Sequence, residues 1–511
     1  MATSSLLFGL GAPLLLSGLT LLLCCWTVAQ VVYCRYFHPL SVFPGPFLAS
    51  FTNLWKSYQV LLGKYEDTLL KLHRKHGKLV RIGPNHLDVS DADSVKNIFG
   101  AGRTYPKSTF YDAFTALRPN LFGTRDEQVH STRRKAVSNS FSAQSVASME
   151  VHMDRCMEKL IRRLDSAAEN GEAIDIKLWI AFFVMDVLGE LAFSRPFGVL
   201  DSGDEYQMPP VREHVLLATT SGQTPWVVPY VNSMVPHVPV PSLQRMVRGR
   251  KDLRQMAIDS VNDRLRSDST RIDLLGRLLD ELKSGVDSKG RALDVVDVQT
   301  EAFGFIVAGS HTTAASTTLL LWHLLRNDEA FAKLRDEIDS VPRPSSPSYP
   351  YSSVKTLTYF QAVVDEAFRI NPVFVMPLMR VVPDGGRQIA GSYIPGGTDI
   401  SICNHALHHD DSVFGPDLER FLPERWLQPG YDKHAYLMPF GGGHRACVGR
   451  NIASQEIYKI VASLLARYDI SLALGSASDG MQRMPQTKSF GVADLDERFM
   501  VELKLRTPII V

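Results

Sequence analysis

The stretch Phe440–Gly449, FGGGHRACVG, decides how the rest of the chain is read. Three consecutive glycines sit badly inside a helix or strand, because Gly surrenders the most backbone freedom on ordering. From Val448 to Leu465 apolar residues recur at helical spacing. The stretch is therefore expected to be a Gly-rich loop that delivers Cys447 to the start of a helix. A thiol there lies at the positive end of a helix dipole and beside Arg445, and both effects favour the thiolate. Glycine also lets a flat, bulky group approach the backbone closely.

A thiolate with its own cation and no second Cys nearby suits one open-faced metal, most simply a haem iron. Working outward, Glu366 and Arg369 are spaced i, i+3 on a helical pattern from Val354 to Ile370, so they share a face and can pair. Alone, such a pair reads equally well as a solvated surface contact of little energetic weight. Phe421–Trp426, FLPERW, adds Arg425 in a Pro-fixed aromatic segment, and Arg425 can bridge to Glu366. A buried network of this kind would brace the Cys447 loop without doing chemistry itself.

The longest helical pattern, Val295 to Arg326, is apolar nearly all round and reads as one core-spanning helix. Ala308-Gly309-Ser310-His311-Thr312-Thr313 interrupts it. Gly inside a helix costs about 1 kcal/mol against Ala. Thr312 can return a hydrogen bond to the Ala308 carbonyl and loosen the turn. A widened turn over a metal makes an oxygen pocket, and helix–helix packing through small residues is the plainer alternative.

The rest of the chain fits a mainly α fold with a minor β part. Lys78–Ser90 alternates about a central turn, as a hairpin does. Helical patterns cover Leu54–His76, Asp91–Phe99, Glu127–Phe141, Ser145–Ala168, Ile176–Phe193, Val211–Gly222, Pro241–Arg266 and Arg271–Lys283. Tyr105–Gly123 reads as a long ordered loop. Thr224–Pro241 is too rich in Pro to be one element and too apolar to lie freely in water. Strand signals fall in Arg387–Ile402 and Ile470–Leu505. Met1–Cys34 has no Asp, Glu, Lys, Arg or His, and Leu14–Tyr33 matches the ~20 residues of one membrane span. Without a basic leader, this reads as an uncleaved anchor rather than a signal peptide. Pro44-Gly45-Pro46 then stiffens a linker. The expected division is an anchor over 1–36, a linker over 37–53 and one catalytic body over 54–511.

A formal net charge of +1 without a basic block excludes a nucleic-acid-binding surface of the usual electrostatic kind. Six scattered cysteines do not form a disulfide framework, and Cys156 and Cys403 read as buried free thiols.

FGGGHRACVG resembles the Phe-x-x-Gly-x-Arg-x-Cys-x-Gly signature of the cytochrome P-450, or haem-thiolate monooxygenase, family. EAFR resembles that family's Glu-x-x-Arg, FLPERW its Pro-x-Arg-Phe segment and AGSHTT its oxygen-binding helix, all in the family's order. The HPL…PGP linker and KLVRIGPN are similar to fungal microsomal members. The resemblance implies a cytochrome P-450 fold behind an N-terminal transmembrane helix. It makes Cys447 the thiolate ligand of haem iron, with Phe440 packed beside the sulfur and Gly449 closing the loop. His130, Arg134, Arg380 and Arg445 become partners of the haem propionates, His130 standing where the family usually has Trp. Ala308 and Gly309 would lie close to the haem. Thr312 becomes the distal hydroxyl of oxygen activation, and His311 occupies the place of the family's usual acid.

The implied activity is oxidation of a hydrophobic small molecule in fungal secondary metabolism, with O2 as the oxidant. No flavin or nicotinamide motif is present, so electrons would come from NADPH-cytochrome P-450 reductase, with cytochrome b5 as an optional second donor. The expected location is the endoplasmic reticulum membrane, single-pass, with the body in the cytosol. By analogy, Tyr105–Phe122, Thr219–Val240, Phe303–Val307, Val373–Leu378 and Ser489–Val492 would face the substrate. A haem-thiolate isomerase or lyase and a non-catalytic haem protein are the rival readings.

Overall fold

The computed structural model describes residues 4–100, 105–267, 271–285, 293–473 and 484–506, with side chains from Ser17 onward, Asn232 excepted. The first helix, α1, runs Ser4–Val32. Within it and the turn that follows, Ser17–Phe37 has a mean hydropathy of 1.6 and no buried residues, enough in length and composition to cross a membrane. The same features suit a signal sequence.

The stretch after α1 lies against the body. Leu40 is buried, Pro44 accepts the Arg81 N–H at 2.7 Å, and Gly45 lies so close to Arg81 that a Cβ would sit 2.0 Å from its carbonyl oxygen. The expected hairpin is present as β1 (Leu79–Gly83) antiparallel to β2 (His86–Val89). Two later strands, β3 (Arg380–Val381) and β4 (Asp399–Ser401), complete a sheet in the order β1-β2-β4-β3. The helical pattern Leu54–His76 is two helices, because Gly63 takes φ +71 and ends the first.

A bundle of long helices forms the main core. It packs α2 (Glu127–Ser138), α3 (Ile176–Phe193), α4 (Val211–Gly222), α5 (Val295–Gly309), α6 (Thr312–Leu324), α7 (Thr358–Ile370) and α8 (Arg450–Arg467). The expected single helix over 295–326 is thus broken in two. At the break, Ser310 Oγ and Thr312 Oγ1 donate to the carbonyls of Ile306 and Ala308, each four residues back, and the ladder weakens there. Helix α7 starts at Thr358 rather than Val354, since Val354 closes a separate turn, Tyr351–Val354. The pattern over 271–283 is helical only from Gly276.

Thr224–Pro241 is indeed no single element: it splits into Pro225–Val227, Val228–Met234 and Val235–His237, leaving Trp226, Tyr230 and Met234 exposed. Among the expected strand segments, Thr487–Ser489 (β5) and Ala493–Leu495 (β6) form a hairpin against α6. Part of Ile470–Leu505, namely 474–483, lies outside the described residues. Cys156 and Cys403 are buried free thiols.

Candidate active site

Cys447 sits between the 3-10 turn Gly443–Arg445 and α8, its N–H donating to the Phe440 carbonyl at 2.8 Å. The residue is open to solvent, although protein atoms crowd round the sulfur. Burial pushes its thiol above the ordinary value, while the backbone N–H groups of Gly449 and Arg450 and the charge of Arg134 pull the other way. Arg445 is not among the main groups that lower it. It pairs with Glu127 at 2.6 Å and donates to the Thr124 carbonyl. Arg134 is the cation at the loop: its Nη1 donates to the Ala446 carbonyl at 2.6 Å.

Gly441 and Gly443 take φ +66 and +62, and a Cβ on Gly443 would lie 2.3 Å from the Phe99 carbonyl oxygen. They let the loop turn against its own chain. Gly449 has ordinary φ −81, and a Cβ there would only touch the Cys447 sulfur at 3.9 Å. Gly309 faces Leu188 of α3, where a Cβ would come within 3.1 Å of a methyl carbon, so helix packing accounts for it. Ala308, one residue earlier, is exposed although α5 is otherwise largely buried, and it is the small residue that opens this wall.

Behind Cys447 the expected network is complete. Glu366 and Arg369 are fully buried. Arg369 Nε and Nη2 reach the two Glu366 oxygens at 2.9 and 2.8 Å, Arg425 Nε donates at 3.1 Å and Trp426 Nε1 at 2.9 Å. The Leu422 N–H adds a further bond to Glu366, and the remaining guanidinium N–H groups reach the carbonyls of His408, Arg420 and Phe414. Phe368, between the paired residues, meets Phe440 edge to face at 5.5 Å. The network thus touches the loop through a ring contact. His408 adds a second link, accepting the Met438 N–H on Nε2 and donating Nδ1–H to the Phe368 carbonyl.

The basic residues converge, and one of them escaped the sequence reading. Lys107 pairs across a β-bridge with Arg380, stands over the rings of Tyr111 and Phe122, and donates to the Phe122 carbonyl at 2.5 Å. Burial, then Arg380 and Arg445, pushes it well below the ordinary lysine value. A single Lys in an aromatic loop carries no sequence signal; only its bridge to Arg380 gives it meaning. Arg380 is buried and donates to the Tyr111 hydroxyl and the Met379 carbonyl. His130 is buried on α2 and pushed down to about 3, first by burial and then by Arg445, Lys107, His444 and Arg134. It is a neutral ring among cations.

Glu127 answers Arg445 and His444, but among the described residues Lys107, Arg134 and Arg380 have no ion-pair partner. Buried cations need anions. Lys107 and Arg380, both buried, with half-buried Arg134 near an open thiol, fit a group that brings two carboxylates and a metal, as haem does. On the other wall, Thr312 donates to the Ala308 carbonyl at 2.8 Å, as its position suggested. His311 is directed to Asp494 of β6 at 3.3 Å. The expected substrate-facing segments meet one another: Phe122 contacts Phe114, Tyr111 and Phe374, and Val375 and Met376 donate to the Gly491 carbonyl.

The cytochrome P450 family model matches this chain over residues 44–495. The chain belongs to the cytochrome P450 family. A cytochrome P450 monooxygenase of Emericella nidulans, cicH, is 35% identical over 467 residues, 87% of this chain and 91% of the relative. The monooxygenase gsfF of Penicillium aethiopicum is 32% identical, over 89% and 92% of the two chains. Benzoate 4-monooxygenase bphA of Aspergillus niger is 31% identical, over 84% and 87%. The chain is thus a P450 monooxygenase, an oxidoreductase of a haem-dependent family with fungal biosynthetic relatives.

Proposed function

We propose that the protein is a membrane-anchored haem-thiolate monooxygenase that hydroxylates or epoxidises a hydrophobic small molecule in fungal secondary-metabolite biosynthesis. The observation that carries the reading is the triad of unpaired cations, Lys107, Arg134 and Arg380, gathered round the open Cys447 loop. Cys447 would ligate the iron as thiolate, with Phe440 shielding it. The cations, with His130 and Arg445, would hold the propionates. The haem, when bound, supplies O2 activation.

The chain's own residues do the rest. Ala308 leaves room above the metal position. The Thr312 hydroxyl, its proton given to the Ala308 carbonyl, keeps its lone pairs free to accept a proton or a hydrogen bond at the reacting oxygen. Phe110, Tyr111, Phe114 and Phe122 exclude water and favour an apolar, ring-containing substrate. Electrons would come from NADPH-cytochrome P450 reductase, with cytochrome b5 as a second donor.

Residues 1–36 would anchor the protein in the endoplasmic reticulum membrane, 37–53 would connect, and 54–511 would form the cytosolic catalytic body. Exposed Leu54, Tyr58, Leu61 and Trp226 support a membrane-facing side on that body.

The reduced carbon-monoxide difference spectrum tests the reading. A thiolate-type Soret band is expected in the wild type and none in Cys447→Ala. A surviving band would refute the ligand assignment. Stoichiometric use of O2 and NADPH per product separates a monooxygenase from an isomerase or lyase.

A further inference from the structure

An ion-pair chain at the edge of the distal wall has no role in the account above. His311 Nε2 lies 3.3 Å from Asp494 Oδ2, and Asp494 lies 2.8 Å from Lys177 Nζ. Lys177 is fixed in turn by donating to the Leu495 carbonyl. Three elements meet here: the α5–α6 break, β6 and the first turn of α3. Each of the three side chains is about a quarter exposed, at 27%, 24% and 26% for His311, Asp494 and Lys177. They line one cleft, whose other charged walls are Arg212, Lys488 and Asp496. The cleft opens to solvent and reaches His311, the residue directly before Thr312. Burial raises Asp494, but the hydrogen bonds and charges of His311 and Lys177 outweigh it and hold the carboxyl below its ordinary value. It is a fixed anion facing an imidazole.

We propose that Asp494, clamped by Lys177, orients His311 as the proton carrier for Thr312, so that the acid serving this site sits on the C-terminal hairpin rather than on the distal helix. A carboxylate that holds one imidazole nitrogen sets the ring's tautomer and direction. His311 gives a proton toward the Thr312 hydroxyl and regains one from water in the cleft. Asp494 is a positioning residue and never meets the reacting atoms. The proposal rests on the monooxygenase reading of Thr312.

The test uses the full-length holoenzyme with reductase in excess and NADPH, without added substrate. O2 consumption and peroxide release are measured in H2O and D2O. Asp494→Asn and His311→Phe should each slow O2 consumption at least about tenfold, below the general-acid range because one group only positions the other. Both should raise the solvent isotope effect. The double variant should be no slower than either single one, since the pair acts as a unit. Asp496→Asn, which lines the same cleft, should behave as wild type.

A second readout needs no turnover. The imidazole 15N signals of His311, recorded in the diamagnetic ferrous carbon-monoxide form, should move in Asp494→Asn. A pair that only pins the hairpin would lower thermal stability and leave the isotope effect alone, which would overturn the proposal. So would wild-type turnover in Asp494→Asn or additive effects in the double variant. Lack of a thiolate-type band in the wild type would instead defeat the underlying reading, so the two failures are distinct.

Discussion

The two walls of the haem site proposed above are built on opposite rules. Behind Cys447 the polar groups are closed on one another: Glu366 receives bonds from both arginines, Trp426 and the Leu422 backbone, and none is left to solvent. On the other side, the α5–α6 wall is open. Its ladder is interrupted at Ser310 and His311, Ala308 is exposed, and its charged groups line a cleft open to solvent. A ligand-holding wall gains from having one geometry, and a buried ion network that is fully satisfied gives that. A wall that must pass protons and admit small molecules needs exchangeable bonds.

Substitutions on the two sides should therefore fail in different ways. The largest effect belongs to Glu366→Ala, which strands two buried guanidinium groups. It should cost about 3–5 kcal/mol in chemical unfolding and reduce haem retention. A loss below about 1 kcal/mol, the level of a surface ion pair, would show that the network is not the brace described here.

Next comes acid. His408 is pushed down to about 3, by burial first and then by Arg369. Its neutral form accepts from Met438 and donates to Phe368, so protonation breaks the link between network and loop. In the unfolded chain the ring titrates near its ordinary value of about 6.5. Between those values the unfolded state binds the extra proton, so stability is full above about pH 6.5 and falls as the pH drops. At pH 5 the loss from this one group is about 2 kcal/mol. Denaturation curves at pH 7 and 5 should show a smaller difference in His408→Gln than in the wild type, and equal differences would remove His408 from the account.

The smallest effect on stability belongs to Thr312→Ala, about 1 kcal/mol for one partly exposed hydrogen bond. Its effect on chemistry should be much greater, with more reducing equivalents lost as peroxide per product formed. An unchanged coupling ratio would sink the role of the hydroxyl.

Much of this is legible in the sequence alone. Ile176–Phe193 and Val211–Gly222 were bounded by their own patterns. The Glu366–Arg369 pair and the Thr312–Ala308 bond follow from residue types at fixed spacings, and the Arg425 bridge to Glu366 is open from its Pro-fixed aromatic segment. What was hidden depended on distant partners. Arg445 looked like the sulfur's cation because the two are neighbours in sequence, yet Glu127 on α2 takes it. Lys107 had no pattern to mark it. Asp494 lies on a hairpin near the other end of the chain, and nothing local to His311 announces it. Gly309 looked like an opening for a ligand, but a leucine on α3 fills the space.

Arg81 sets one further condition on the whole molecule. Buried at the first strand, it donates to the Cys34 carbonyl at the end of the N-terminal apolar stretch and to the Pro84 carbonyl in the hairpin turn. The helix is thus bolted to the body rather than hung from it by a slack tether. If the helix enters a membrane, this joint is one place where the angle between helix and body would be set, and with it how Trp226 and Leu54 are presented.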